Sequence, residues 1–270
     1  MDKNELDFKA AVNDALMFFM SDLFHSLTNF TNKCSDGIIK YDPHNSSSIK
    51  IDYFDIENTN IFRNNVKKVA IILESPHTDE YSNKDGRINN PICANGQTGD
   101  NLEKHLSQLM TEMKLNDKNV DIAIINAIPY QCSQGVSTEI LRDFVWLKSW
   151  YEFGYIKTYE LLEKINPDFI VNCCTKGCHF IPSKNAVNIS EKYIKTVLNT
   201  DDICQHNGIT FYKKQVSGNN EYSLREFVTQ CLRNYKEKHT GVKLYRCTHP
   251  CTWKLFPDNK FGKIEENQEC

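Results

Sequence analysis

The chain has 270 residues, of which 40% are hydrophobic and 25% are charged, enough for one large α/β domain or two small ones around a sizeable core. This composition excludes a disordered chain. The 32 Lys and Arg residues nearly balance the 35 Asp and Glu residues, so a nucleic-acid partner would have to bind a local basic face. Eleven cysteines, an odd number, do not form a secreted disulfide framework, which indicates reduced thiols.

The first 65 residues contain no membrane span. The apolar stretch at residues 16–20 lies between Asp14 and Asp22 and is too short and too charged to cross a bilayer. No cationic segment with a small-residue cleavage site precedes it, so we expect a cytoplasmic protein without a membrane partner. Apolar residues at helical spacing over residues 5–30 predict an amphipathic helix, and the polar stretch 32–65 predicts a loop with one edge strand near Ile51.

Four short apolar runs follow, at residues 69–73, 122–125, 169–171 and 243–247, and each ends in polar residues. Such runs are typical of buried parallel strands. Helical spacing predicts crossover helices at 102–113, 144–162 and 224–235. The alternation predicts a three-layer α/β/α fold with a central, mainly parallel four-stranded sheet, in a single domain whose core covers about residues 66–255.

Three of the predicted strands lead into polar side chains, Glu74, Asn126 and His249, at the edge where parallel sheets bind ligands. Asn126 presents a donor and an acceptor suited to the polar edge of a base, and His249 can donate to a developing anion. Each also has an ordinary structural interpretation. Glu74 can be a solvated strand cap, Asn126 can close an Asx turn, and His249 can be a hydrogen-bonded structural histidine.

Gly96 and Gly99 lead into the first predicted crossover helix. Backbone N–H groups at such a helix start can bind a phosphate. The same glycines would serve any tight turn before a helix, with Asp100 as its N-cap.

The order of these segments, from about residue 68 to residue 253, resembles the uracil-DNA glycosylase superfamily. That family's first motif is a strand followed by a turn with Gln, Glu or Ile two residues before Pro. Residues 73–77 are similar to this motif, and Glu74 occupies the position at which the iron–sulfur type of glycosylase has Glu. The family's glycine-containing second motif is similar to residues 91–102, its Asn-ended strand to 126–130, its Pro-x-x-Ile-Val strand to 167–177, and its His-Pro-Ser motif to 249–251.

The chain departs from the family pattern at several positions. The Phe that stacks on uracil would fall near Ile92, so stacking must come from elsewhere, with Tyr81 and Tyr130 as candidates. Ser75 occupies a position that is Asp or Asn in several branches of the family. The N-terminal cysteine pair of the iron–sulfur branch is missing, because Cys34 has no second cysteine near it in the sequence. A pocket altered at both stacking and water-activating positions need not be built for plain uracil.

The resemblance implies a DNA glycosylase without a cofactor, acting as a monomer on a base flipped out of double- or single-stranded DNA. Glu74, with Asp79 as the alternative carboxylate, would position water and stabilise the cationic sugar. His249 would stabilise the departing base, and Asn126 would read its edge.

The resemblance also implies a wedge that fills the gap left by the flipped base, for which Trp253 and Leu255 are candidates. A basic face would hold the DNA backbone, although charges of this kind can equally be a solvated helix surface. Its candidate residues are Arg225, Arg233, Lys236, Lys238, Lys243, Arg246 and Lys254.

Two substrates follow from the resemblance: uracil, in repair, and a bulky modified cytosine such as glucosylated hydroxymethylcytosine of phage DNA, in antiviral defence. The polar stretch 32–65 could help to shape the roomier pocket that a sugar-bearing base needs. A catalytically inert nucleic-acid-binding domain on the same fold is the alternative. A metal protein is a third hypothesis, but the five cysteines that suggest it lack C-x-x-C spacing and are better explained as buried thiols: Cys173, Cys174, Cys178, Cys247 and Cys251.

Overall fold

The structure is a computed structural model that describes residues 3–4, 6–7, 10, 33–56, 61–83, 86–87, 91–132, 145–146, 149–175, 204–206, 209–211, 224–255 and 265–266. Most of the predicted N-terminal helix and Cys178 lie outside these residues, although 3–4, 6–7 and 10 are helical. Within the described ranges, no helix is long and apolar enough to reach across a bilayer.

The strands are β1 (Asp36–Tyr41), β2 (Asp52–Phe54), β3 (Lys67–Leu73), β4 (Ser82–Asn83), β5 (Gly86–Arg87), β6 (Val120–Asn126), β7 (Phe169–Asn172), β8 (Cys204–His206), β9 (Ile209–Phe211), β10 (Lys243–Arg246) and β11 (Glu265–Glu266). The α-helices are α1 (Gln97–Glu112), α2 (Tyr155–Ile165), which continues a π-helical turn (Trp150–Gly154), and α3 (Leu224–Lys238). Short 3-10 helices are Pro43–Ser48, Thr78–Tyr81 and Pro250–Leu255.

Seven strands form one mixed sheet in the order β11-β10-β7-β3-β6-β1-β2. The four strands predicted from the apolar runs are adjacent and parallel in its centre. Strands β1, β2 and β11 extend the sheet in antiparallel orientation at its two sides. The fold is therefore mixed α/β, and the prediction of a four-stranded, mainly parallel sheet is corrected to a seven-stranded mixed sheet.

Strand β1 falls in the stretch that was expected to be a loop with one edge strand. Gly37 and Lys40 interrupt its apolar pattern and leave only Ile38 and Ile39 as a short apolar pair. The structure nevertheless buries five of its six residues against β6, where Ile39 pairs with Ile122. The expected edge strand is β2, which pairs with β1 at the side of the sheet.

Helices cover both faces of the sheet because successive strand residues point to opposite sides. In β3, Ala70 and Ile72 belong to the apolar cluster that includes α2 and α3. Ile71 and Leu73 belong to the cluster on the other face, which includes Leu102 of α1.

The chain changes direction across the sheet at β3. From β3 it passes through α1 to β6 on one side, and from β7 on the other side of β3 it passes through α3 to β10. The two connecting helices lie on opposite faces of the sheet. Neighbouring parallel strands connected in this way open a crevice at their carboxyl ends, which is the usual place for a ligand in an open α/β sheet.

The turn before α1 is packed so closely that Gly99 has no room for a side chain. A Cβ atom on Gly99 would lie 2.1 Å from the carbonyl oxygen of Ala94, which itself has a positive φ of 56°. Gly96, the N-cap of α1, also has a positive φ, 84°. We expect Gly99→Ala to lower the free energy of unfolding by about 2–3 kcal/mol through overpacking, measured by urea denaturation.

Gly241→Ala is the matched control, because a Cβ atom there would meet nothing within 4 Å. We expect it to change the free energy of unfolding by less than about 0.5 kcal/mol. Equal stabilities of the two variants would contradict the close packing of the α1 start.

Candidate functional site

The parallel register sets the polar strand ends side by side. Leu73 pairs with Asn126 of β6, so Glu74 directly follows the residue opposite Asn126. On the other side, Asn172 of β7 pairs with Ile72 of β3 and with Arg246 of β10. These residues lie along one carboxyl edge, at the crevice expected from the topology.

Glu74 is buried at the end of β3, with 4% of its surface exposed. Its backbone carbonyl accepts hydrogen bonds from the indole Nε1 of Trp146 (3.0 Å) and the N–H of Ile128 (3.1 Å). Burial, and after it the negative charge of Glu74, raises the pKa of Cys174 well above its usual value. The negative charge of Glu74 therefore acts on Cys174 in a buried setting of low polarity, which strengthens its electrostatic effect.

Asn126 offers a hydrogen-bond acceptor that the protein does not use. Its side chain is 4% exposed, and its Nδ2 donates to the Sγ of Cys93 at 3.4 Å. Its Oδ1 is buried and has no hydrogen-bond partner among the described residues. A buried amide oxygen left unpaired costs about 1–3 kcal/mol, so a donor on a ligand would be bound favourably there.

The segment that carries Cys93 is held by a buried carboxylate, Glu80, that the sequence pattern does not single out. Glu80, 4% exposed, accepts hydrogen bonds from the backbone N–H groups of His77 and Ala94. The sequence pattern does not distinguish Glu80 from Asp79, because both lie in one short polar loop. Asp79, the predicted alternative catalytic carboxylate, lies in the 3-10 helix Thr78–Tyr81, and its side chain is outside the described part of the structure.

His249 lies in the loop after β10, where its ring nitrogen Nδ1 is occupied. The backbone N–H of Cys251 donates to Nδ1 at 3.3 Å, and the Sγ of Cys251 lies 3.1 Å from the same nitrogen. Because an Nδ1 that accepts a hydrogen bond carries no proton, the neutral ring has its proton on Nε2. His249 therefore carries its N–H donor on Nε2, and its role toward a departing base stays a prediction.

The loop that carries His249 crosses from β10 to the start of α1. Asn101 of α1 donates through Nδ2 to the carbonyl of Pro250 at 2.8 Å, and Gln97 donates to the carbonyl of Cys251. The loop after β10 therefore packs against the start of α1, where the predicted phosphate-binding turn lies. The role of this turn in binding a phosphate stays a prediction.

The three predicted site residues lie at the same sheet edge but approach it from different sides. Asn126 contacts Cys93, which lies four residues before the first residue of α1, and His249 lies in the loop bonded to the start of that helix. The charge of Glu74 instead acts on Cys174, which belongs to the apolar cluster on the opposite face of the sheet, with α2 and α3. That the three side chains face one ligand stays a prediction.

The two predicted stacking rings are buried. Tyr130 is 2% exposed and packs edge-on against Phe153, with ring centroids 6.0 Å apart. Tyr81 is 8% exposed, its hydroxyl accepts a hydrogen bond from the N–H of Gln131, and burial is the main cause that raises its pKa. Ile92, at the family's stacking position, is half-buried. Their roles in base binding stay predictions.

The predicted wedge residue Trp253 is also buried, with 2% exposure. Its Nε1 donates to the carbonyl of Thr248 at 3.0 Å, and its ring meets His105 of α1 edge-on at 6.4 Å. In this structure Trp253 therefore stabilises the loop after β10. The side chains of Lys254 and Leu255 lie outside the described residues.

The cysteines at the strand ends are mostly buried. Cys173 and Cys247 contact each other, since a side-chain hydrogen bond donated by Cys173 to Cys247 is the main cause that raises the pKa of Cys173 and lowers that of Cys247. Cys174 is fully buried, whereas Cys251 is half-buried. Across the ranges that the structure covers, no three His, Cys, Asp or Glu residues are grouped as metal ligands would be.

The residues of the predicted basic face do not lie together. Arg225 and Arg246 lie at the carboxyl ends of β7 and β10, where Arg225 Nε donates to the carbonyl of Cys174 at 2.6 Å. Arg233 pairs with Glu226 at 3.1 Å. Further residues lie near the opposite edge, at the end of α3 or the start of β10: Lys236, Lys238 and Lys243.

Comparison with known proteins gives no match to any protein-family model, curated protein or solved structure. Function therefore has to be argued from the site.

Glu80→Ala tests whether this carboxylate holds the Cys93 segment. Without it the N–H groups of His77 and Ala94 lose a charged acceptor, so we expect the free energy of unfolding to fall by about 2–4 kcal/mol in urea denaturation. Glu160→Ala, on the exposed face of α2, should change it by less than about 0.5 kcal/mol. Similar losses in both variants would contradict a specific role for Glu80.

Cysteine alkylation tests the arrangement around His249. Among the cysteines whose side chains the structure describes, we expect iodoacetamide to label Cys251 first in the folded protein, because its thiol is partly exposed and lies beside an imidazole that can accept its proton. The other seven of these cysteines are buried and should label only in urea. Peptide mapping by mass spectrometry, with Cys251→Ser as control, would contradict this order if a buried thiol reacted as fast.

Proposed function

We propose that the protein is a DNA glycosylase that hydrolyses the N-glycosidic bond of a base flipped out of DNA. The observation that carries the proposal is a set of three complementary groups at one edge of a parallel sheet. These are the buried carboxylate of Glu74, the unpaired amide oxygen of Asn126 and the N–H donor of His249. The resemblance of the segment order to the uracil-DNA glycosylase superfamily supports the same reaction.

The reaction needs one negative group near the sugar and one donor near the base. As the bond from C1′ to the base nitrogen breaks, the sugar gains positive charge and the base leaves with the electron pair as an anion. Glu74 stabilises the sugar cation and orients a water molecule, whose oxygen bonds to C1′ and whose proton passes to the carboxylate. His249 donates its Nε2 proton in a hydrogen bond to the anionic base, which lowers the barrier to its departure.

Asn126 supplies recognition of the base. Because its Nδ2 is engaged by Cys93, the free Oδ1 selects a base that presents an N–H donor. Uracil offers its ring N–H, and a modified cytosine offers its exocyclic amine. The acceptor is therefore compatible with both proposed substrates, uracil in repair and a bulky modified cytosine of phage DNA in antiviral defence.

The target nucleotide has to leave the stack before it reaches these groups, at a cost of a few kcal/mol. The protein can recover that cost through contacts with the DNA backbone and by filling the gap. The loop after β10 is the candidate for the second task, since it is bonded to the start of α1 and carries His249. We propose that the protein acts on double- or single-stranded DNA as a monomer.

The proposal is tested by mass spectrometry of bases released from duplexes that contain uracil and from phage DNA with glucosylated hydroxymethylcytosine. We expect Glu74→Gln to reduce the rate of release about 10²- to 10⁴-fold and His249→Gln about 10²- to 10³-fold, because each removes one group used in the transition state. Asn126→Ala should reduce it about tenfold or more through lost base recognition.

Glu160→Gln and His44→Gln, at exposed positions, serve as matched controls and should leave the rate unchanged. Free uracil alone would indicate repair, and a released modified cytosine would indicate defence. DNA binding without release of any base would instead favour an inert nucleic-acid-binding domain, and would overturn the enzymatic proposal.

A further inference from the structure

Two arginines come together where β7 and β10 end. Arg246, the last residue of β10, pairs with Asn172, the last residue of β7. The side chain of Asn172 donates through Nδ2 to the backbone carbonyl of Arg225 at 3.2 Å, and the N–H of Arg225 donates to the carbonyl of Thr175 at 3.1 Å. Asn172 therefore contacts both the start of α3, which carries Arg225, and the end of β10, which carries Arg246.

Neither arginine has a carboxylate partner among the described residues. Arg225 uses only its Nε, which donates to Cys174, and its two terminal nitrogens have no partner there. The described contacts of Arg246 include none from its guanidinium. The other arginines with described ion pairs differ in this respect, since Arg63 pairs with the buried Asp121 at 2.6 Å and Arg233 with Glu226.

The positive charges of Arg225 and Arg246 repel each other. Burial lowers the pKa of Arg225, and the positive charge of Arg246 is the second cause of that lowering. Both side chains are half-buried, so water screens the repulsion only in part. An arrangement that is unfavourable in the free protein becomes favourable when an anion lies between the two guanidinium groups.

The start of α3 adds the partial positive charge of a helix N-terminus beside Arg225. On the acidic side, the charge of Glu74 acts on Cys174, and Glu265 of β11 pairs with Arg246 through the backbone. No described ion pair joins Glu74 to either arginine.

We infer that Arg225 and Arg246 form a binding site for a phosphate group at the carboxyl edge between β7 and β10. Planar guanidinium groups bind phosphate through paired N–H donors, which a single lysine cannot reproduce. The inference rests on the proposed function in one respect, namely that the phosphate is a phosphodiester of the DNA strand whose flipped base lies at Glu74. A free phosphate or a nucleotide has the same chemistry, and the experiment distinguishes these sources.

The first measurement is the affinity for a fluorescein-labelled duplex, by fluorescence anisotropy at several salt concentrations. We expect Arg246→Gln to weaken binding about tenfold at moderate salt and to reduce the slope of log Kd against log salt by about 1, because one phosphate contact is lost. Arg225→Lys keeps the positive charge but loses the planar guanidinium group with its paired N–H donors, so it should weaken binding several-fold. Lys118→Gln, which removes one positive charge from an exposed position before β6, should leave both quantities close to wild type.

The second measurement is thermal unfolding in inorganic phosphate and in chloride at equal ionic strength. Stabilisation by phosphate that is lost in Arg246→Gln would show that free phosphate occupies the site. A phosphate effect too small to detect, together with the DNA result above, would identify the phosphodiester as the ligand. If Arg225 variants fail to fold because the bond to Cys174 is lost, Arg246→Gln still decides the matter.

Three outcomes separate this inference from the proposed function. Equal effects of Arg246→Gln and Lys118→Gln on DNA binding, or no effect of Arg246→Gln in either measurement, would overturn the phosphate site. Base release by wild type, with no effect of Arg246→Gln on DNA binding or on phosphate stabilisation, would overturn only the phosphate site. No base release from any DNA, with phosphate stabilisation that depends on Arg246, would overturn the glycosylase and leave the phosphate site in place.

Discussion

The parallel pairing of β3 with its two neighbours is the constraint on which the rest of the structure depends. Its register sets Asn126 beside the end of β3 on one side and Asn172 on the other. Buried backbone groups have to be paired, so this register cannot shift by one residue without turning apolar side chains out of both cores. The positions of the polar residues at the carboxyl edge follow from it.

Much of this centre was predictable from the sequence, because a fully buried strand reads as a continuous apolar run. Strand β1 was not, since Gly37 and Lys40 break its pattern and its burial comes from pairing with β6 and β2. A sequence pattern reports which side chains are apolar. It does not report which backbone segment completes a sheet, because that depends on residues distant in the chain.

The candidate site divides in the same way. Strand-end placement made Glu74, Asn126 and His249 candidates, because polar residues at the ends of buried runs are conspicuous. It could not identify Glu80, whose importance comes from backbone N–H groups contributed by two separate turns. It also could not separate Arg225 and Arg246 from the other basic residues, since their proximity arises only when α3 starts at the end of β7.

The antiparallel strands β1 and β2 make residues 33–56 an integral part of the sheet. A fragment starting at residue 66 would leave one side of β6 without its partner strand, so backbone donors and acceptors along Ile122 and Ile124 would face solvent. An open, apolar strand edge is a template for pairing with another chain. The stretch that looks dispensable in the sequence therefore protects the protein from self-association through its sheet.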